Sequence, residues 1–204
     1  YVVVEAAAGV NWHEFVQWTV DQGWGGLQNL SLIPGLVGTA PVQNVGAYGV
    51  ETKDSLHSLR WMRWNDGEVE EFTNAECAFG YRESIFKGAL KDQGVILSVQ
   101  FRLTTRDHAL LTHYGSVAEE LAAAGQEPSI RSIADAVIAI RQSKLPNPAE
   151  LGNSGSFFKN PTVEGSVAAA LASEHPSLPQ YPQADGRVKL AAGWLIEHAG
   201  WKGT

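Results

Sequence analysis

The chain has 204 residues, 44% hydrophobic and 18% charged, which excludes a disordered polypeptide and allows one large domain or two small ones. Fifteen Lys and Arg against 22 Asp and Glu give a net charge of -7, which argues against general nucleic-acid binding, so an anionic ligand must be met by a local basic cluster. With the single cysteine Cys77 no intrachain disulfide can form, a Cys-based metal site has no support, and a reducing, cytoplasmic home fits. No apolar run approaches the roughly 18 residues of a membrane span, and no signal peptide is expected.

In chain order, Tyr1–Ala7 is an apolar, β-branched run and reads as a buried strand already in progress. Asn11 caps a helix, with Glu14 at the capping-box spacing, Trp12, Phe15, Val16 and Thr19 on one face, and Gly23 past the last turn. Leu56–Trp64 and Glu68–Phe72 flank Asn65-Asp66-Gly67, a hairpin signal. Thr73 caps the short segment after it, and Gly94–Leu103 is the next strand. The chain changes from strand-rich to helix-rich near Thr105–His108, and a domain boundary is expected there, dividing 1–106 from 107–204. Helices are expected over Val117–Ala124, over the segment capped by Ser129 with Ile130, Ile133, Ala134, Val137 and Ile140 on one face, over Val163–Ser173, and over Lys189–His198, stopped by Gly200. The chain closes on WKGT without a stop signal, as expected of an internal piece of a longer protein.

The stretch that stands apart is Ile33–Glu51, IPGLVGTAPVQNVGAYGVE. It carries Gly35, Gly38, Gly46, Gly49, Pro34 and Pro41, and Glu51 is its one charge. Glycine admits positive φ and close approach of a ligand to main-chain N–H groups, so this is either a loop that wraps a large, partly anionic cofactor or a buried Gly/Pro connector.

Other candidates carry two readings each. Arg82, in Gly80-Tyr81-Arg82-Glu83-Ser84, is a surface cation or a fixed fork for an anion. Arg141 and Lys144 share a helix face as complements to the C-terminal dipole or as a phosphate clamp. Ser156, in GNSGSFFKNP, is a turn cap or a proton donor. The six histidines show no ligand spacing, so no metal is assigned.

Taken together, IPGLVGTAPVQNVGAYGVE, GYRESIF, RQSKLPNP, GNSGSFFKNP and YPQADGRVKLAAGWLIE occur in an order that resembles the MurB family, the UDP-N-acetylenolpyruvoylglucosamine reductases. The Tyr-Arg segment and the loop LLTHYGSV resemble the family's type I form. The resemblance implies an α+β protein: part of a vanillyl-alcohol-oxidase-type FAD-binding domain, then a smaller α+β substrate-binding domain. It implies a monomeric, cytoplasmic enzyme of peptidoglycan precursor synthesis that uses FAD and NADPH. Its substrate would be a UDP-sugar, UDP-N-acetyl-3-O-(1-carboxyvinyl)-glucosamine, reduced to UDP-N-acetylmuramate, with neither nucleic acid nor membrane as partner.

The same resemblance implies roles. Reduced flavin gives a hydride to the enolpyruvyl group, Arg82 stabilises the enolate, and Ser156 delivers the proton. Ile33, Pro34, Thr39, Val42, Gly46 and Ile96 match flavin-contacting positions. Tyr114, Arg141, Lys144, Asn160 and Tyr181 match positions that hold the UDP-sugar, with Lys144 and Tyr181 facing the diphosphate, and Tyr48 is placed with them. The family's upstream loop that grips the FAD diphosphate, and its downstream glutamate near an H-P-E-V-R-F sequence, have no counterpart here, and Glu197 is not that glutamate. The isolated piece is therefore expected to bind FAD poorly and not to turn over. Two alternatives are another flavin-dependent oxidoreductase of the same superfamily and a sugar-nucleotide-binding module without flavin.

Overall fold

A computed structural model describes residues 1–146, 150–152 and 157–201. Its elements are β1 (Val2–Ala7), α1 (Trp12–Asp21), β2 (Gly46–Ala47), β3 (Val50–Glu51), β4 (Leu56–Arg63), β5 (Val69–Thr73), β6 (Gly94–Leu103), α2 (Val117–Ala123), α3 (Ile130–Lys144), β7 (Thr162–Val163), α4 (Gly165–Glu174), β8 (Gln180–Pro182), β9 (Val188–Leu190) and α5 (Ala192–His198). They fall into two compact units, Tyr1–Asn153 and Ser154–Thr204.

In the first unit, alternation along β6 puts Val99, Phe101 and Leu103 on one face, all fully buried. β6 lies between β1 and β4, and β5 completes an antiparallel sheet in the order β1-β6-β4-β5. Two register shifts in β4, between Leu56 and Ser58 and between Arg60 and Trp61, change which of its residues point inward. The expected hairpin is present as a four-residue loop: the Gly67 N–H donates to the Arg63 carbonyl at 3.0 Å, with Gly67 at φ +73°.

Helix α1 forms where the sequence expects it. The Asn11 side chain accepts from the Glu14 N–H at 3.1 Å. At the other end, Trp24 N–H reaches the Thr19 carbonyl and Gly23 N–H the Val20 carbonyl, with Gly23 at φ +75°, a Schellman ending. Its buried face meets the sheet through Phe101, whose ring centroid lies 5.9 Å from Trp12 and 5.2 Å from Phe15. The Trp12 indole N–H, which burial would otherwise leave unpaired, donates to the Leu30 carbonyl at 2.9 Å.

α3 begins at the expected Ser129 cap, whose hydroxyl accepts from the Ser132 N–H. Ile133, Val137 and Ile140 pack with Val117 and Leu121 of α2, and Ile130 and Ala134 with Val20 of α1. Helices α2 and α3, which follow residue 106, thus pack within the first unit, and compactness changes near residue 153 although sequence character changes near 106. Thr73 caps a turn and no helix follows: its N–H and hydroxyl both donate to the Glu76 carboxylate.

The second unit is a three-stranded antiparallel sheet in the order β7-β9-β8, with α4 and α5, around Ala168, Leu178 and Leu190. Two expected helices are shorter than the sequence suggested. Val163 is held in β7 opposite Val188, so α4 starts at Gly165. Lys189 and Leu190 belong to β9, because Asp185-Gly186 turns the chain back on β8, with Gly186 at φ +81° and Gln183 N–H bonded to the Arg187 carbonyl at 2.9 Å. α5 then ends at the expected Gly200, φ +82°.

Candidate functional site

The glycine-rich stretch is pinned at its entry. Leu32 sits at φ +56°, a conformation costly for a branched side chain. Two bonds hold it there: its N–H donates to His13 Nδ1 at 3.0 Å, and its carbonyl accepts from Arg141 Nε at 3.0 Å. Burial pulls the His13 imidazole below its ordinary 6.5, with Glu14 opposing and the Arg141 charge pushing the same way. The loop next borrows main-chain partners from the segment after β1: Val37 N–H bonds to the Val10 carbonyl and Gly38 N–H to the Ala8 carbonyl, both at 2.9 Å. A Cβ on Gly38 would stand 2.5 Å from Ala8 Cβ, so this close approach requires glycine.

The stretch ends in a hairpin the sequence did not announce. Gly46 pairs with Glu51 and Ala47 with Val50. Tyr48 (φ +48°) and Gly49 (φ +82°) form the two-residue turn, both left-handed as a type I′ turn demands. A tyrosine at such a φ is held by its surroundings. Its carbonyl accepts from Asn29 Nδ2 at 3.1 Å, and its ring packs on the α2–α3 cluster and over Gly115. Tyr114 in turn lies against Gly49, where a Cβ would be 3.4 Å from Tyr114 Cβ. Burial pushes the Tyr48 phenol up, and Arg141 beside it partly offsets this by charge and hydrogen bond. Asn29 is fully buried and also donates to the Leu111 carbonyl, while its Oδ1 makes no hydrogen bond among the described residues.

Arg82, also left-handed at φ +56°, reaches the same hairpin. Its Nη2 donates to the Gly46 carbonyl at 2.6 Å, and its Nη1 to the Asn44 carbonyl at 3.2 Å and to Glu51 Oε1 at 3.4 Å. Only glycine allows this at position 46, where a Cβ would lie 2.9 Å from Nη1. Asn44 and Glu51 are the members of this cluster that sequence reasoning missed. The one available signal was that Glu51 is the sole charge of an otherwise neutral stretch.

Beside the loop, a cleft of about 510 Å³ gathers Thr39, Val42 and Ile96, three of the expected flavin-contacting residues, with Trp61, Trp64 and Phe86. Ile33, Pro34 and Gly46 do not line it; Ile33 packs on the core next to the pinned Leu32, with Pro34 following it in the chain. Gly9 also lines the cleft, and nothing stands within 4 Å of where its Cβ would be, so main chain is open to a ligand there. Apolar flat walls with main-chain edges, in a volume of ligand size, fit part of a large planar cofactor such as FAD.

The remaining candidates are placed as follows. Lys144 is exposed at the end of α3, one turn beyond Arg141. In the second unit, Asn160 Oδ1 accepts from the Ala192 N–H at 2.9 Å at the start of α5. Tyr181 lies opposite Lys189, whose Nζ is 5.8 Å from its ring, a second cation that the sequence reading did not single out. Ser156 lies outside the described residues. Among the described residues no group of three His, Cys, Asp or Glu could hold a metal ion, and no helix is long and apolar enough to cross a membrane.

Comparison with known proteins gives two family matches: an FAD binding domain over residues 1–73, and the C-terminal domain of UDP-N-acetylenolpyruvoylglucosamine reductase over 147–204. The chain is 55% identical to the UDP-N-acetylenolpyruvoylglucosamine reductase of Azoarcus sp. over 98% of its own length and 58% of the relative's. It is 53% identical to that of Flavobacterium johnsoniae over 100% and 60%, and 56% identical to that of Pseudomonas putida over 99% and 59%. The crystal structure of the MurB reductase from Thermus caldophilus matches 98% of this chain and 55% of that one with a TM-score of 0.60 at 23% identity, a likeness of fold. The chain thus spans about three-fifths of the length of the curated relatives it matches, and it belongs to the UDP-N-acetylenolpyruvoylglucosamine reductase (MurB) family.

Proposed function

We propose that the full-length protein bearing this chain reduces the enolpyruvyl group of UDP-N-acetyl-3-O-(1-carboxyvinyl)-glucosamine to give UDP-N-acetylmuramate. It does so with FAD and NADPH, as a cytoplasmic monomer serving peptidoglycan precursor synthesis. The observation that carries the reading is the Arg82 guanidinium fixed on the glycine-rich hairpin, in a chain that aligns over its whole length with reductases of this name.

Thr39, Val42 and Ile96, which line the cleft, would hold part of FAD there, and Ile33, Pro34 and Gly46 would contribute from the rest of the loop. When bound, FAD supplies two-electron chemistry between NADPH and the enolpyruvyl double bond. As that bond is saturated, charge builds on the neighbouring carboxylate. Arg82 neutralises it from a pre-set position, which lowers the barrier without reorganisation at the moment of reaction. Ser156 gives its proton to the adjacent carbon. Arg141 and Lys144, with Tyr48 and Tyr114, bind the UDP-sugar, and Asn160 and Tyr181 are the second unit's candidates for the same ligand. Local cations thus hold an anion on a chain of net charge -7.

The test is a steady-state assay with the purified full-length protein. NADPH oxidation is expected to depend on the enolpyruvyl UDP-sugar, and the product to carry two more hydrogens by mass. Oxidation of an alcohol or hydroxy acid at the expense of oxygen, with no sugar-dependent NADPH loss, would replace this reading with that of another flavoprotein of the superfamily.

A further inference from the structure

We propose that Glu51, clamped by Asn44, is a positioning residue for Arg82, and that it leaves one edge of the guanidinium to grip a carboxylate at two points. The proposal rests on Arg82 being the cation that faces the substrate.

The Glu51 carboxylate is held on both oxygens. Oε1 meets Arg82 Nη1 at 3.4 Å, and Oε2 accepts from Asn44 Nδ2 at 3.0 Å and pairs with Lys53 Nζ at 3.1 Å. Asn44 has no freedom of its own. It is fully buried at φ +45°, its Nδ2 also donates to the Gly80 carbonyl at 3.0 Å, and its Oδ1 accepts from the Lys53 N–H at 3.0 Å. One buried amide therefore links the hairpin carrying Glu51 to the segment carrying Arg82, thirty-six residues on. The Asn44 carbonyl also takes an Arg82 hydrogen, so Asn44 fixes both partners of the pair.

A guanidinium has five N–H donors in a planar fork. The contacts above occupy both Nη1 hydrogens and one Nη2 hydrogen. Nε–H and the second Nη2 hydrogen make no hydrogen bond among the described residues. Two parallel donors on one edge match the two oxygens of a planar carboxylate. Glu51 contributes in a second way: its carboxylate pairs with Lys53 as well as with Arg82, so the two cations are held on opposite oxygens of one anion. An arginine free to swing would reach the carboxylate but not hold it in one plane, and plane and distance matter when charge develops there.

The experiment uses the full-length holoenzyme and follows flavin reoxidation by the enolpyruvyl UDP-sugar in a single turnover. Glu51→Ala is expected to slow this step by about tenfold to a hundredfold, the usual effect of an ångström-scale misplacement. Glu51→Gln, which keeps an acceptor oxygen for Nη1, is expected to recover most of the rate. Asn44→Ala should cost as much as Glu51→Ala, and the double variant no more than either, because both act through one guanidinium. The flavin absorbance of each variant reports whether the fold is retained, and Glu51→Gln supplies the answer if an alanine variant loses flavin. Wild-type rates in Glu51→Ala, or additive losses in the double variant, overturn the proposal. Arg82→Ala separates the two claims. If it reoxidises at the wild-type rate, the assignment of Arg82 itself fails; if it is dead while Glu51→Ala is normal, only the positioning claim fails.

Discussion

Arg141 Nε donates to the Leu32 carbonyl at 3.0 Å, a bond between residues 109 apart that ties the end of α3 to the entry of the glycine-rich loop. Replacing Arg141 by Ala removes this charged donor and the cation beside Tyr48. The expected result is a loss of about 1–2 kcal/mol in a urea unfolding series, together with a higher KM for the UDP-sugar. Arg141→Lys should restore less of either than a charge argument suggests, because an ammonium cannot place a donor where Nε stands.

His13 makes the same junction sensitive to pH. Its folded pKa lies below 6.5, so the unfolded chain binds the proton more readily. The stability conferred by the neutral ring is whole above pH 6.5 and is lost as pH falls from there toward the folded pKa. Urea midpoints should be level from pH 8 to about 7 and decline below about 6.5. His13→Asn, which keeps an acceptor for the Leu32 N–H, should flatten that decline; an unchanged slope would show that another group titrates.

Gly46→Ala tests the close approach at the hairpin. The new methyl would stand 2.8 Å from Glu51 Cγ and 2.9 Å from both Arg82 Nη1 and the Val50 carbonyl. Crowding of this kind costs about 1–3 kcal/mol, and it displaces Arg82. Lower thermal stability with a slowed substrate step is expected.

Cys77 is fully buried, and burial, with Glu76 adding to it, pushes its thiol up to about 12. The folded protein should resist a thiol reagent at pH 8 and react fully in denaturant. Rapid reaction of the native protein would mean that the Cys77 region opens readily.

The parts of the fold legible in the sequence were those fixed by neighbours along the chain. Asn11 and Glu14, Asn65-Asp66-Gly67, the limits of β6 and the apolar face of α3 each state their structure within a few residues. The chemistry of the site is not written that way. Arg82 and the loop were visible as types, but the partners that orient them lie far off: Asn44 with Gly80, Arg82 with Glu51, Asn29 with Leu111. The Tyr48-Gly49 turn was hidden because tyrosine is a poor signal for positive φ, and what holds it is distant in sequence: the packing of α2 and α3 and the Asn29 amide. In the second unit, the short strands β8 and β9 offered too few residues for alternation to show.

The proposed function makes this chain part of a flavoenzyme that passes electrons from NADPH to an enolpyruvyl UDP-sugar. An anaerobic titration of the full-length holoenzyme tests it most directly. NADPH should bleach the flavin absorbance, and one equivalent of the enolpyruvyl UDP-sugar should restore it. A bleached flavin that oxygen restores and the sugar does not would contradict the account.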